Sequence, residues 1–191
     1  MTRFWWVRHG PTHARGMVGW TDLPADLSDT VRIDRLSAYL PETALVTSSD
    51  LVRATATADA IAGRRRRLEP DPGLREIHFG DWEMRPHSEI EAQDPARIRA
   101  YWDQPGDVRA PGGETWNETC LRVSNAVDRL IAAHRDADII AVAHLGAIVT
   151  QIQRALGIAA FDAFSHRIDN LSVTEIAYDG TWHVGAINHV P

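Results

Sequence analysis

Residues 4–12 read FWWVRHGPT: a short apolar run leads into a charged pair, Arg8 and His9, and then into a Gly-Pro turn. Two further apolar runs, residues 44–47 and 138–143, are also followed by polar or glycine residues and then by a helix-like pattern. This alternation of strands and helices predicts an α/β fold, in which a mostly parallel central sheet is covered by helices on both faces.

Four ionisable side chains follow these predicted strands. They are Arg8, His9, Arg53 and His144. In an open parallel sheet, ligands bind beyond the carboxyl ends of the strands, so we expect the four to meet at one edge although they are far apart in sequence. A fifth group, Glu76, lies in a glycine-rich stretch that we expect to reach the same edge.

The residue types of this set suit the transfer of a phosphoryl group. Neutral imidazole is a competent nucleophile toward phosphorus, which makes His9 the candidate nucleophile. Arg8 and Arg53 supply forked, permanently charged donors for phosphate oxygens, and His144 adds another donor if it is protonated. Glu76 can protonate the leaving oxygen and then, as a carboxylate, activate water. Taken singly, Arg8 also fits a surface salt bridge and His144 a core histidine, so the prediction depends on the set.

Composition excludes several other classes of protein. The chain has 191 residues with 44% hydrophobic and 24% charged side chains, and no apolar run approaches the roughly 20 residues of a membrane span. Its formal net charge of −6 argues against a nucleic-acid partner. The run 4–7 is too short for the core of a signal peptide, and the single cysteine, Cys120, cannot form an internal disulfide. These features predict a cytoplasmic protein with no membrane partner.

The chain has no repeat, low-complexity linker or shift in composition that would divide it, so residues 1–191 are predicted to form one domain. Residues 172–187 alternate and turn at Asp179-Gly180, as a hairpin would. The four arginines 64–67 follow Gly63. A glycine is typical of the end of a helix, and cations are stabilising near a helix carboxyl terminus. We expect a solvated helix end there, with binding of an acidic partner as the alternative.

A resemblance to a known family adds to this interpretation. The run 7–12, VRHGPT, resembles the RHGxT signature of the histidine phosphatase superfamily, also called the phosphoglycerate mutase-like family. Further matches follow in the family's order over nearly the whole chain. They are TSSDLVRA at 47–54, LRE at 74–76 with GDWE at 80–83, PGGE at 111–114 and VAH at 142–144.

The resemblance implies a three-layer α/β/α sandwich with a covering, substrate-selecting segment at residues 84–113. It implies that His9 is the phosphorylated nucleophile, that Arg8, Arg53 and His144 form the phosphate pocket, and that Glu76 is the proton donor. The substrate is expected to be a small phosphorylated metabolite. The implied substrate-binding set also contains Thr12, Arg15, Gly19, Trp20, Thr21 and Leu145.

No metal and no cofactor is expected, because the arginines neutralise the charge of the phosphate. His9 and His13 have the i, i+4 spacing of a metal pair, but Gly10-Pro11 prevents the helix that would align them.

Two positions depart from the family pattern. Arg15 stands where members commonly place an asparagine that helps to hold phosphate, so we expect either a replacement contact or an exposed loop arginine. Leu145 replaces the glycine often found after the second histidine. Only its backbone amide would be needed at a helix start, so this change should be tolerated.

The runs 79–85, FGDWEMR, and 166–170, HRIDN, are similar to bacterial α-ribazole phosphatases, which remove the 5′-phosphate from a precursor of the lower ligand of cobalamin. This resemblance makes α-ribazole 5′-phosphate the preferred substrate hypothesis, although either run is also compatible with simple packing. Two alternatives remain: a cofactor-dependent phosphoglycerate mutase, and a phosphate-binding module without turnover. The covering segment before Pro111 is short, which argues against the mutase. Glu76 argues against a pure anion receptor, because a carboxylate beside the phosphate is useful only as a proton source.

Overall fold

The computed structural model describes residues 1–191. It contains five strands and seven α-helices. The strands are β1 (Thr2–Arg8), β2 (Leu45–Ser48), β3 (Asp138–Ala143), β4 (Val173–Tyr178) and β5 (Trp182–Val184). The helices are α1 (Thr30–Tyr39), α2 (Val52–Ala62), α3 (His87–Gln93), α4 (Pro95–Asp103), α5 (Trp116–Ala133), α6 (Leu145–Leu156) and α7 (Ala160–Ala163). No helix is both long enough and apolar enough to span a membrane.

The five strands form one sheet in the order β2-β3-β1-β4-β5. Strands β2, β3 and β1 are parallel, whereas β4 pairs antiparallel with β1 and β5 antiparallel with β4. The prediction of a mostly parallel sheet is therefore only partly right, because the sheet is mixed. The chain enters β4 from the edge at which β1 ends, and the short turn at Asp179-Gly180 allows only an antiparallel return. The hairpin predicted for the tail is confirmed.

Helices cover both faces of this sheet, so the expected three-layer α/β/α arrangement is confirmed. Helices α1 and α2 pack on one face over a core cluster of 13 buried residues, which includes Val7, Leu36 and Ile61. Helices α5 and α6 pack on the other face over a cluster of 24, which includes Trp6 and Ile148. The neighbours Trp6 and Val7 of β1 belong to opposite clusters, as the alternation of side chains along a strand requires.

The segment 84–113 folds into the two short helices α3 and α4, which pack on each other. Their apolar side chains Ile90, Ile98 and Tyr101 are buried in the larger core cluster, together with Trp82. Local sequence fixes the helix that follows: Thr115 and Glu118 form a capping box at the start of α5. The segment therefore shares the core of the α5–α6 layer.

Candidate active site

The register of the sheet brings two histidines together. Arg8 and Ala143 are paired at the ends of the parallel strands β1 and β3. The next residue on each strand is a histidine, so His9 and His144 leave the sheet side by side, with ring centroids 5.0 Å apart. Both are buried, at 7% and 0% exposure.

The surroundings of His9 fix its tautomer. Its Nδ1 lies 2.6 Å from the carbonyl oxygen of Gly10. Because a carbonyl oxygen only accepts, Nδ1 carries the hydrogen and Nε2 is left unprotonated. Burial and the neighbouring Arg53 lower the pKa of His9 from its ordinary 6.5 to about 3. Nε2 is therefore unprotonated at neutral pH, which is the form that a nucleophile needs.

Arg53 is held beside this ring by the backbone. It stands in the first turn of α2, directly after β2, and its side chain is almost fully buried at 1% exposure. Nη1 donates to the carbonyl of Thr21 at 2.9 Å and Nη2 to the carbonyl of Gly19 at 2.6 Å. Nε points to Nε2 of His9 at 3.3 Å. The loop 19–21 therefore sets the direction of the guanidinium group.

Arg8, the last residue of β1, adds a second guanidinium. Its Nη1 donates to the carbonyl of Ile168 at 2.6 Å, and its buried Nε has no hydrogen-bond partner. Burial lowers the pKa of Arg8, but an arginine stays charged at neutral pH. Donor capacity thus remains for an anion beside His9.

His144 precedes α6 and is fully buried. Its Nε2 lies 2.6 Å from Oγ of Ser49, and its Nδ1 has no partner although it is buried. Burial is the main cause that holds the pKa of His144 well below 6.5, and the nearby His9 and Arg53 lower it further. His144 is therefore neutral without an anion. It can still donate from Nδ1, because the hydroxyl of Ser49 can donate to Nε2.

Glu76 is the carboxyl group of the set, and the start of α6 helps to hold it. Its Oε1 accepts from the amide of Ile77 at 2.9 Å and its Oε2 from the amide of Gly146 at 3.2 Å. A Cβ at position 146 would lie 2.3 Å from Oε1, so this close approach requires glycine. Burial raises the pKa of Glu76, although the two amides, Arg53 and Arg8 oppose the shift. A raised pKa favours the protonated form that a general acid needs.

Some of the remaining predicted site residues lie beside Glu76, Arg53 or the start of α6, and the others make no side-chain hydrogen bond. Trp20 donates its indole N–H to the carbonyl of Glu76 at 2.7 Å, and Gly19 and Thr21 hold Arg53 through their carbonyls. Leu145 is the first residue of α6. Thr12 and Arg15 make no side-chain hydrogen bond or ion pair, and Arg15 is exposed. His13 pairs with Asp26 at 2.8 Å, on the exposed side of the loop.

Three supporting residues were not assigned from sequence. Ser49 contacts His144, Asn170 donates to the carbonyl of His9 at 2.8 Å, and Glu83 binds the loop 19–21. Each lies inside a run that the family resemblance had singled out, so proximity to a motif was the available signal. Their contacts depend on the conformation of the loops, which the motifs do not give.

The chain is similar to several known proteins. A family model described as the histidine phosphatase superfamily (branch 1) matches residues 4–189. The adenosylcobalamin/alpha-ribazole phosphatase of Escherichia coli (strain K12) is 29% identical over 173 residues, which cover 87% of this chain and 85% of that protein. The glucosyl-3-phosphoglycerate phosphatase of Mycolicibacterium vanbaalenii is 32% identical over 165 residues, 80% of this chain and 73% of that protein. Among solved structures, YhfR of Bacillus stearothermophilus has a TM-score of 0.91 and 30% identity, covering 100% of this chain and 98% of that one.

Proposed function

Because this chain belongs to the histidine phosphatase superfamily, and is accordingly a phosphoric monoester hydrolase, we propose that it works through a phosphohistidine at His9. The observation that carries the proposal is the composition of one pocket. An imidazole with an unprotonated Nε2 lies next to a buried guanidinium and 5.0 Å from a second imidazole with an unpartnered Nδ1.

In the first step, the dianionic ester binds to Arg8, Arg53 and His144. Nε2 of His9 attacks phosphorus, so that an N–P bond forms as the bond from phosphorus to the leaving oxygen breaks. The carboxyl proton of Glu76 passes to that oxygen, and the alcohol leaves neutral.

In the second step, the carboxylate of Glu76 takes a proton from water. The water oxygen attacks phosphorus and the N–P bond breaks. Orthophosphate leaves, and neutral His9 and protonated Glu76 are restored. The arginines stay charged throughout and stabilise the charge on the three transferring oxygens.

The preferred substrate is α-ribazole 5′-phosphate, which would place the enzyme in cobalamin metabolism. The relative from Escherichia coli whose name contains this activity supports the proposal, as does the similarity of runs 79–85 and 166–170 to that branch. Residues 1–191 act in this proposal as one domain, with 84–113 as the segment that covers the site and selects the substrate. With a single cysteine and no internal disulfide, the chain suits the reducing cytoplasm, where such metabolites occur.

A substrate panel tests this function. The panel contains α-ribazole 5′-phosphate, glucosyl-3-phosphoglycerate, sugar phosphates and an aryl phosphate, ranked by kcat/KM, because that ratio measures discrimination. We expect α-ribazole 5′-phosphate to rank first. A higher rank for another ester would move the substrate assignment to that ester while leaving the hydrolase in place.

The mutase alternative needs a separate assay. Incubation with 3-phosphoglycerate and 2,3-bisphosphoglycerate should release orthophosphate slowly and form no 2-phosphoglycerate. Rapid interconversion of the two monophosphates would show that the phosphoryl group returns to glycerate rather than to water.

A further inference from the structure

We propose that Glu83 is a positioning residue for the anion pocket: its carboxylate fixes the loop 19–21, and this loop holds the guanidinium of Arg53 beside His9. The inference rests on the proposed function in taking Arg53 as part of a phosphate pocket. Glu83 makes no hydrogen bond to Arg53 or His9, so it acts through the loop.

The carboxylate of Glu83 accepts five hydrogen bonds. Oε1 accepts from the backbone amides of Trp20 at 2.8 Å and Phe79 at 3.1 Å. Oε2 accepts from the amides of Gly19 at 3.0 Å and Thr21 at 3.3 Å, and from the Thr21 hydroxyl at 2.7 Å. Four of these five donors belong to the loop 19–21, so one side chain fixes three consecutive residues.

The loop that Glu83 fixes is the loop that aims Arg53. Gly19 and Thr21 give their amides to Glu83 and their carbonyls to Arg53. A displacement of this loop would therefore move both acceptors of the guanidinium at once. Position 19 is also tightly packed, because a Cβ there would lie 2.1 Å from the carbonyl oxygen of Ile77 and 2.4 Å from Oε1 of Glu83.

The arrangement requires a carboxylate rather than an amide. Every neighbour of the two oxygens is a donor, and a glutamine would turn its NH₂ toward some of those donors. Burial raises the pKa of Glu83, but the hydrogen bonds from Thr21, Trp20, Gly19 and Phe79 outweigh burial and hold the pKa below its ordinary value. Glu83 is thus ionised at neutral pH, and its bonds to the loop are charge-assisted.

The chain just before the loop 19–21 has an attachment that does not involve Glu83. The amide of Met17 donates to the carbonyl of Arg85 at 3.0 Å, and the amide of Met84 donates to the carbonyl of Met17 at 2.7 Å. In a variant at position 83, the loop 19–21 should therefore stay packed on the protein but shift from its wild-type position. This expectation separates a positioning role from a general role in folding.

A double-mutant cycle tests the inference. Glu83→Gln is made in the wild type and in Arg53→Lys, which keeps the charge but cannot fork to both carbonyls. The readouts are the affinity for orthophosphate by calorimetry, and kcat and KM for an aryl phosphate. In the wild type we expect Glu83→Gln to weaken orthophosphate binding about 10- to 100-fold, as the loss of a supporting contact at a functional site does. In Arg53→Lys the further loss should be under about twofold, because the two residues act as one unit.

Asp81→Asn is the matched control. Asp81 is an exposed carboxylate two residues away whose side chain makes no hydrogen bond, so this variant removes the same charge and should bind orthophosphate like the wild type. If Glu83→Gln melts below the assay temperature, Thr21→Val replaces it, because it deletes only one of the five bonds. The same pattern is then expected with a smaller factor.

Equal losses in both backgrounds would overturn the inference, since they would show that Glu83 does not act through Arg53. A loss no larger than that of Asp81→Asn would overturn it as well. Coupled losses of orthophosphate affinity in a protein that hydrolyses no phosphate ester would support the inference and contradict the proposed function. If the wild type hydrolyses a phosphate ester but the effects of Glu83→Gln and Arg53→Lys are independent, the proposed function is supported and the inference is contradicted.

Discussion

In the proposed mechanism, both proton transfers depend on Glu76. It is buried against α6, and its raised pKa favours the protonated form needed for the first step. The nucleophile has the opposite shift, because the pKa of His9 is lowered to about 3. His9 is therefore unprotonated in mild acid, where Glu76 still holds its proton. The two groups occupy the states that the reaction requires over a common range of pH.

This pairing predicts the pH profile and the effect of Glu76→Gln. After correction for the ionisation of the substrate, kcat/KM should stay level in mild acid and fall as pH rises through the raised pKa of Glu76, because the acid form is then lost. Glu76→Gln should lower kcat by about 10² to 10⁴ and remove that alkaline decline, while orthophosphate still binds.

Glu42→Gln, an exposed carboxylate between α1 and β2, serves as the control and should keep the wild-type profile. Unchanged turnover in Glu76→Gln would remove Glu76 from the mechanism.

At the residue scale, the sequence placed five side chains at one sheet edge, and the structure brings them there. For four of the five the strand pattern was enough, because the carboxyl ends of parallel strands lie at the same edge of a sheet, whereas Glu76 lies in a loop. The residues behind them were less accessible to prediction. Asn170 and Glu83 form hydrogen bonds with backbone groups of loops, and a local sequence pattern does not predict the conformation of a loop.

At the scale of elements, Arg65 joins the ends of two helices. Its guanidinium donates to the carbonyls of Ser37, Leu40 and Pro41 at the end of α1, at 2.7 to 2.8 Å, and to that of Ile61 in the last turn of α2 at 2.8 Å. The expectation of a solvated helix end is wrong for this residue. Unpaired carbonyls at two neighbouring helix ends attract the same cation.

Arg65→Ala should therefore lower the free energy of unfolding by about 2 kcal/mol, because partly buried carbonyls lose a charged donor. Chemical denaturation measures the change. Arg64→Ala is the control within the same run, since Arg64 is exposed and makes no hydrogen bond, and it should change stability by less than about 0.5 kcal/mol. Equal effects of the two substitutions would show that the run acts only through its charge.

Elements also differ in how well the sequence predicted them. Strand β3 has the predicted bounds, 138–143, because a buried parallel strand is a continuous apolar run. The apolar spacing in residues 114–135 predicts a long helix, and α5 spans Trp116–Ala133, with its start fixed by the capping box at Thr115. The direction of β4 was not predicted, since it depends on where the preceding loop re-enters the sheet.

At the scale of the whole molecule, one sheet edge organises the chemistry. Strand ends supply Arg8, His9 and His144, the start of α2 supplies Arg53, and the start of α6 holds Glu76. The chain carries a net charge of −6, yet this edge concentrates two guanidinium groups, of which that of Arg53 is almost fully buried and that of Arg8 is half-buried. In the proposed function, affinity for a phosphate dianion is therefore a local property of this edge rather than of the overall charge.

The central claim is that the phosphoryl group passes through His9, and trapping the intermediate tests it most directly. The protein is mixed with a ³²P-labelled phosphomonoester, quenched in alkali within one turnover, digested and mapped. We predict an acid-labile, alkali-stable label on the peptide that contains His9, and no label in His9→Ala. A label on another residue, or one that persists in His9→Ala, would contradict the account.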